Sequence, residues 1–390
     1  MPERIIIIGA GHAGGTAAIT LRELGFKGFL TVVGEEEHAP YERPNLSKGF
    51  LSGEETEPVW LVPHERWEAL DVAFKSSNSA VAIDREKSEI RLSDGSYVTF
   101  DTLILATGGR VRTLPLPHHD AVHYLRTTDD ARALASKAKT GASVLVVGGG
   151  VIGLEAASTL KGMGLSVVVI EASDRLLGRN IPSEPAQWMT DAHTRIGVEI
   201  RLGCALSALT DGQNGAVTAS FDDGTSQDFD LVVVGIGIIP NTDLAEASGL
   251  SVNGGIVVGS DYRSPDDARI FAIGDVAARL GSRMETWAHA QTSARIAAHA
   301  ILGLPPELEP TPWFWTDQCG HNLQILGEPA SADAVIARDN NVRLYMREGI
   351  LVAAICMDKP REFAAARRLI GKTLNAELAA DPATDLRKAV

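Results

Sequence analysis

Gly9-Ala10-Gly11-His12-Ala13-Gly14 and Gly148-Gly149-Gly150-Val151-Ile152-Gly153 are two copies of one pattern, G-x-G-x-x-G. Each glycine in such a pattern has a separate use. The first permits a tight turn, the second lets backbone approach a pyrophosphate, and the third lets a helix pack against a strand. An acid follows each copy. Glu171 stands close to the usual ~20 residues beyond the first glycine, and Glu35 somewhat further. A carboxylate there accepts hydrogen bonds from ribose hydroxyls, so the chemistry implied is the binding of two dinucleotides. Glu171 would repel a 2′-phosphate, and Ala172 and Ser173 supply no cation, which favours NAD over NADP. Arg175 and Arg179 are the nearest positive charges.

Other residues have suitable types but weaker spacing. Ser47 and Lys48 place a hydroxyl and a cation after two chain-breaking prolines, Pro40 and Pro44. They suit phosphates or a flavin ring, although taken alone they read more simply as a surface loop with an N-cap serine. Ala106, Thr107 and Gly108 are small residues where backbone approaches a cofactor closely, and Gly235 and Gly237 repeat that arrangement. Asp275 follows a buried strand and is placed either to meet a polyol hydroxyl or to act as a plain N-cap. Trp313 and Trp315 stand out in a chain that is only 5% aromatic.

These residues need strands and helices to hold them. Arg4 to Ile8 contains four consecutive isoleucines, as in a strand buried on both faces of a parallel sheet. Ala17, Ala18, Leu21 and Leu24 then recur at helical spacing. Phe29 to Val33 is the second strand. The order strand, glycine turn, helix, strand returns at Ser143 to Glu171, so a whole nucleotide-binding unit is repeated. Val72–Phe74 and Val81–Ile83 read as a short strand pair. Ser88–Leu92 and Ser96–Phe100 flank the turn Ser93-Asp94-Gly95 as a hairpin. A helix is expected from Asp129 to about Lys139, and an alanine-rich one from Glu285 to Leu302. The prolines at 305, 306, 310 and 312 mark a linker into a small α+β domain that closes with a helix from Arg361.

Composition sets limits. With 390 residues, the chain has room for two or three domains with ample core. A net charge of −14 argues against nucleic acid or an anionic membrane as main partner. No apolar run reaches the ~18 residues of a membrane span. The N-terminus enters a core strand at once, so no signal peptide is expected. Cys204, Cys319 and Cys356 are isolated, with no metal spacing, and fit a reducing cytoplasm.

Six motifs together resemble one family: G-A-G-H-A-G, P-Y-E-R-P-N-L-S-K, L-I-L-A-T-G-G, G-G-G-V-I-G-L-E, F-A-I-G-D-V and W-F-W-T-D-Q. Along essentially its whole length the chain is similar to the flavoprotein NADH:ferredoxin and NADH:rubredoxin reductases of bacterial oxygenase and cytochrome P450 systems. The resemblance implies a glutathione reductase-like α/β fold with two Rossmann-type domains and a small α+β domain. The FAD domain would span 1–112 and 243–312, the NAD domain 113–242, and the C-terminal domain 313–390.

It further implies that Gly9, Gly11 and Gly14 hold the FAD pyrophosphate and Glu35 its ribose, with Arg43, Lys48, Val81, Arg126 and Asp275 contacting FAD further along. Gly148, Gly150 and Gly153 would hold the NAD pyrophosphate and Glu171 its ribose. Glu155 would sit beside the nicotinamide, near Lys48, and Trp287 and Trp315 would lie by the flavin, where a small iron–sulfur protein takes electrons. Disulfide reductases of this fold carry a C-x₄-C pair after the first ribose-binding acid. Here that stretch is Tyr41-Glu42-Arg43-Pro44, and no cysteine precedes Cys204, so electrons must leave the flavin directly. Arg361, Arg367 and Arg368 offer a local basic patch for an acidic ferredoxin. Two rival readings are a monodehydroascorbate reductase-like enzyme, which shares P-Y-E-R-P-x-L-S-K, and an NADH-sensing relative of apoptosis-inducing factor.

Overall fold

The computed structural model describes residues 2–179 and 181–390. The chain divides into two compact units, one of residues 1–44, 58–110 and 238–310, the other of residues 45–57, 111–237 and 311–390.

In the first unit a five-stranded parallel sheet runs in the order Ile270–Ala272, Thr102–Leu105, Arg4–Ile8, Phe29–Val33, Ala73–Lys75. Ile5 and Ile7 are fully buried and Ile6 and Ile8 nearly so, as a strand covered on both faces requires. The chain leaves Arg4–Ile8 toward one side of the sheet and later returns on the other. The carboxyl end of that strand is therefore a topological switch point, where α/β sheets open a crevice. The helix His12–Glu23 starts there and packs along the helix Trp287–Ile301.

The second unit repeats the plan with Glu199–Leu202, Ser166–Glu171, Ser143–Val147, Leu231–Val234 and Val122–Tyr124, all parallel. Its helix Val151–Gly162 starts at the matching switch point. Equivalent backbone bonds fix the equivalence residue by residue. Gly9 N–H donates to Val33 O at 2.8 Å and Gly148 N–H to Ile170 O at 2.9 Å. Ala106 N–H donates to Ile8 O at 2.7 Å and Gly235 N–H to Val147 O at 2.8 Å. One edge strand differs in origin: Ile270–Ala272 follows the rest of its sheet in sequence, whereas Val122–Tyr124 precedes its own. The second unit also contains an antiparallel sheet, Trp313–Gln318, His321–Gly327, Ile350–Met357, Val342–Arg347, Ala334–Asp339, backed by the helix Pro360–Leu369.

Several local expectations are corrected. Ala73–Lys75 and Ala80–Asp84 do not pair with each other. The first adds to the parallel sheet beside Phe29–Val33, and the second joins Glu89–Leu92, which does form the expected hairpin with Tyr97–Thr99. Both segments are short and apolar, so alternation alone could not choose a partner. The helix after Thr127 runs Thr128–Lys137, held by a capping box between Thr127 and Asp130. The chain beyond Pro360–Leu369 adds a further short helix, Ala376–Ala380.

Candidate active site

The first fingerprint is shaped by what its glycines exclude. Gly9 has φ +112°, and a Cβ there would lie 2.1 Å from Ala106 O. A Cβ on Gly14 would lie 1.9 Å from Gly9 O. Gly11 differs: it is extended, and the nearest atom a Cβ would meet is Arg43 Nη2 at 4.0 Å. The space in front of Gly11 is therefore open. The helix that begins at His12 has no side-chain cap and no acid in its first turn, so its leading N–H groups are offered to an anion.

His12 adds to this. Both its ring nitrogens are buried with no hydrogen-bond partner, and its ring lies 5.1 Å from that of Trp287. Burial pushes its pKa down to about 4, against the opposing pull of Asp275. Buried nitrogens without partners carry a desolvation cost that a bound polar group removes. Open backbone, an uncapped helix and the unsatisfied N–H of the neutral His12 ring together fit the pyrophosphate of FAD.

Arg43 is 2.7 Å from Glu36, which also accepts from Tyr41 Oη at 2.5 Å. Thr107 and Asn241 are cross-linked, Thr107 Oγ1 donating to Asn241 O at 2.8 Å and Asn241 Nδ2 to Thr107 O at 2.9 Å. Gly108 has positive φ, as does its counterpart Gly237. Asp275 lies on a single 3₁₀ turn, Gly274–Val276, that leads into the strand Ala277–Arg279 rather than a helix, so it is no N-cap. Val81 is 43% exposed on its antiparallel strand. Glu35 is exposed, and the registers within each sheet make Gly34, not Glu35, the equivalent of Glu171. Glu35 therefore stands one residue past the end-of-strand position.

The second fingerprint repeats the first. Gly148 has φ +109° and would put a Cβ 2.6 Å from Gly235 O, and Gly153 would put one 2.2 Å from Gly148 O. Gly150 again faces space, its nearest atom 3.8 Å away. Val151 is half-buried and Ile152 exposed at the start of the helix. Glu171 accepts from Gly149 N–H at 2.7 Å and from Ser173 N–H at 2.9 Å. Burial pushes the Glu171 carboxyl up, but the bonds from Ser173 and Gly149 and the charge of Arg179 outweigh it, and the group ends below the usual carboxylate range. Arg175 donates to Gly178 O at 2.9 Å and closes its own turn.

A buried polar cluster in the second unit centres on Glu155, which is 3% exposed. Lys48 Nζ is 2.8 Å from Glu155 Oε2, and Ser47 Oγ donates to the same oxygen at 2.5 Å. Thr316 Oγ1 donates to Glu155 Oε1 at 2.7 Å. Thr159 Oγ1 donates to Ser47 O at 2.7 Å, which ties the segment to the helix bearing Glu155. Ser47 closes the 3₁₀ turn Arg43–Ser47 and is not an N-cap; the residue before the short helix Gly49–Ser52 is Lys48. Arg126, half-buried, gives its backbone N–H to Asp130 at 3.0 Å. Trp315 stacks on Trp313 at 5.5 Å, its Nε1–H donates to Asp317 at 3.0 Å, and Arg367 lies over Trp313 at 5.2 Å. Arg361, Arg367 and Arg368 are all exposed.

Sequence reasoning singled out W-T-D-Q for its tryptophans and missed Thr316, Gln318 and His193. Thr316 and Gln318 were already inside the motif. His193 gave no signal, being one residue of an amphipathic helix.

A family model described as pyridine nucleotide-disulphide oxidoreductase matches residues 3–294, and one described as reductase C-terminal matches residues 313–390. Rhodocoxin reductase from Rhodococcus erythropolis is 38% identical over 402 residues, covering 99% of this chain and 94% of its own. The ferredoxin–NAD(+) reductase component of the p-cumate 2,3-dioxygenase system from Pseudomonas putida is 35% identical over 405 residues, covering 99% and 98%. Among solved structures, putidaredoxin reductase in its covalent complex with putidaredoxin matches with a TM-score of 0.94 at 30% identity, covering 99% of this chain and 97% of that one. Among the described residues, no helix is long and apolar enough to cross a membrane, and no group of acids, histidines and cysteines could hold a metal ion.

Proposed function

Because the chain belongs to the pyridine nucleotide-disulphide oxidoreductase family, among the ferredoxin reductases of oxygenase systems, we propose that it oxidises NADH and reduces a small [2Fe-2S] ferredoxin. Its cofactors are FAD and NAD(H). The observation that carries this reading is the doubled fingerprint, each copy with an open second glycine and an uncapped helix, and the second with Glu171 bonded into it. FAD supplies the conversion between hydride transfer from NADH and single-electron delivery to the partner.

The residues divide the work. Gly9, Gly11 and Gly14 and the helix they open would hold the FAD pyrophosphate, with Glu35, Arg43, Val81, Arg126 and Asp275 contacting the rest. Gly148, Gly150, Val151, Ile152 and Gly153 would hold NADH, and Glu171 would accept from its ribose. Lys48 and Glu155 would orient the nicotinamide against the flavin, and the Lys48 cation would offset negative charge that builds up on the cofactor. Trp287 and Trp315 would flank the flavin on the partner's side, and Arg361, Arg367 and Arg368 would meet an acidic ferredoxin. The three cysteines are free thiols, which suits direct electron transfer and work in a reducing cytoplasm.

Steady-state turnover with NADH tests the acceptor. A [2Fe-2S] ferredoxin is expected to give a higher kcat/KM than a rubredoxin or the monodehydroascorbate radical. A preference for the radical would overturn the reading in favour of a monodehydroascorbate reductase.

A further inference from the structure

The Glu155 carboxylate is the end of a buried line of side chains that nothing in the proposed chemistry has used. Gln318 Nε2–H donates to Thr316 Oγ1 at 2.8 Å, and His193 Nε2 is 2.6 Å from Gln318 Oε1. All three side chains are shut away from water: His193 is 0%, Thr316 1% and Gln318 4% exposed.

The donors run in one direction. A carboxylate only accepts, so Thr316 spends its proton on Glu155 and takes the Gln318 amide proton on its lone pair. The carbonyl oxygen of Gln318 then needs a donor, which His193 supplies as its Nε2–H tautomer. That leaves His193 Nδ1 as a buried acceptor without a partner, and burial lowers the ring's pKa so that it stays neutral. Aligned bonds polarise and stiffen one another. Glu155 Oε1 is thereby pinned from one side while Ser47 and Lys48 hold Oε2 from the other.

Strand alternation separates the W-T-D-Q run into two faces. Thr316 and Gln318 point inward to Glu155, while Asp317 is exposed and holds the Trp315 indole. We propose that Thr316 and Gln318 are positioning residues for the reaction with NADH, acting by fixing the Glu155 carboxylate and through it the Lys48 ammonium. The proposal rests on the reading that Lys48 and Glu155 orient the nicotinamide.

The test uses the full-length, FAD-loaded protein and the variants Thr316→Val, Thr316→Ser, Gln318→Met and Lys48→Ala. Anaerobic rapid mixing with NADH gives the limiting rate of flavin reduction and the NADH dissociation constant, and a redox titration gives the flavin midpoint potential. Thr316→Val is expected to lower the limiting rate about tenfold or more, as small misplacements of reacting groups do, with little change in the dissociation constant and a more negative midpoint. Thr316→Ser restores both rate and potential, and Gln318→Met shifts both in the same direction as Thr316→Val but less. Equal losses in Thr316→Val and Thr316→Ser would make Thr316 a packing residue and overturn the proposal. Normal rates in Thr316→Val and Gln318→Met beside a slow Lys48→Ala would overturn it while leaving the roles of Lys48 and Glu155 intact. Normal rates in all of them would overturn those roles as well. If Thr316→Val fails to fold, Gln318→Met and Thr316→Ser carry the same comparison.

Discussion

Lys48 Nζ lies 2.8 Å from Glu155 Oε2, with the two side chains 19% and 3% exposed. The closing residues of two separate motifs thus form one shielded ion pair. Removing one partner of such a pair leaves the other charge buried and uncompensated, at a cost of about 3–5 kcal/mol. Lys48→Met is therefore expected to lower the midpoint of the second unit's unfolding transition. The double variant Lys48→Met/Glu155→Leu should recover part of that loss, because no buried charge remains. Thermal unfolding of the wild type and the two variants checks it; equal midpoints for the wild type and Lys48→Met would count against the pair.

The glycines of the first fingerprint separate folding from binding. A Cβ on Gly14 would collide with Gly9 O at 1.9 Å, whereas one on Gly11 meets nothing nearer than 4.0 Å. Gly14→Ala is expected to lose soluble protein. Gly11→Ala is expected to fold with an unchanged circular dichroism spectrum and to bind FAD more weakly. Each bond lost to the phosphate is worth about 1.5–3 kcal/mol, or roughly 10- to 100-fold in affinity. Flavin content after gel filtration reads the difference.

Acid should unfold the FAD-free protein partly through His12. Its pKa is held near 4, against an ordinary value of 6.5. Above pH 6.5 the residue is neutral in both states and contributes nothing. As the pH falls from 6.5 to about 4, the unfolded chain takes up a proton that the native ring refuses, so stability is lost, by about 3 kcal/mol in full. His12→Gln should flatten this slope. Urea midpoints of the wild type and the variant at pH 7 and pH 5 measure it; parallel slopes would contradict the assignment.

Exposed Arg367 lies over Trp313, which stacks on Trp315. A charge reversal, R367E/R368E, should raise KM for ferredoxin by about tenfold at low salt, with the gap closing as salt screens the patch. The rate of flavin reduction by NADH should not change. An unaltered KM would remove this patch from ferredoxin docking.

Much of this was legible in the sequence because it is local. The two glycine fingerprints and their strands follow from periodicity and turn chemistry, and the glutathione reductase-like α/β fold that the resemblance of the motifs implied is the one found. Positions set by register were harder. Glu35 and Glu171 look equivalent as acids after a strand, yet hydrogen-bond register aligns Glu171 with Gly34. Ser47 reads first as an N-cap in a surface loop, yet Lys48 is the residue before the helix, and Ser47 instead gives its hydroxyl to Glu155, 108 positions away. The line from His193 to Thr316 was invisible for the same reason: His193 and Gln318 are 125 residues apart in the chain. No local pattern encodes a contact of that separation.

The most direct test of the central claim is an anaerobic titration of the FAD-loaded protein, once with NADH and once with NADPH, following the flavin absorbance. NADH is predicted to bleach the flavin at near-stoichiometric concentration, and NADPH only at concentrations about tenfold higher or more, since Glu171 opposes a 2′-phosphate. Equal bleaching by the two nucleotides, or protein that takes up no flavin, would contradict the account.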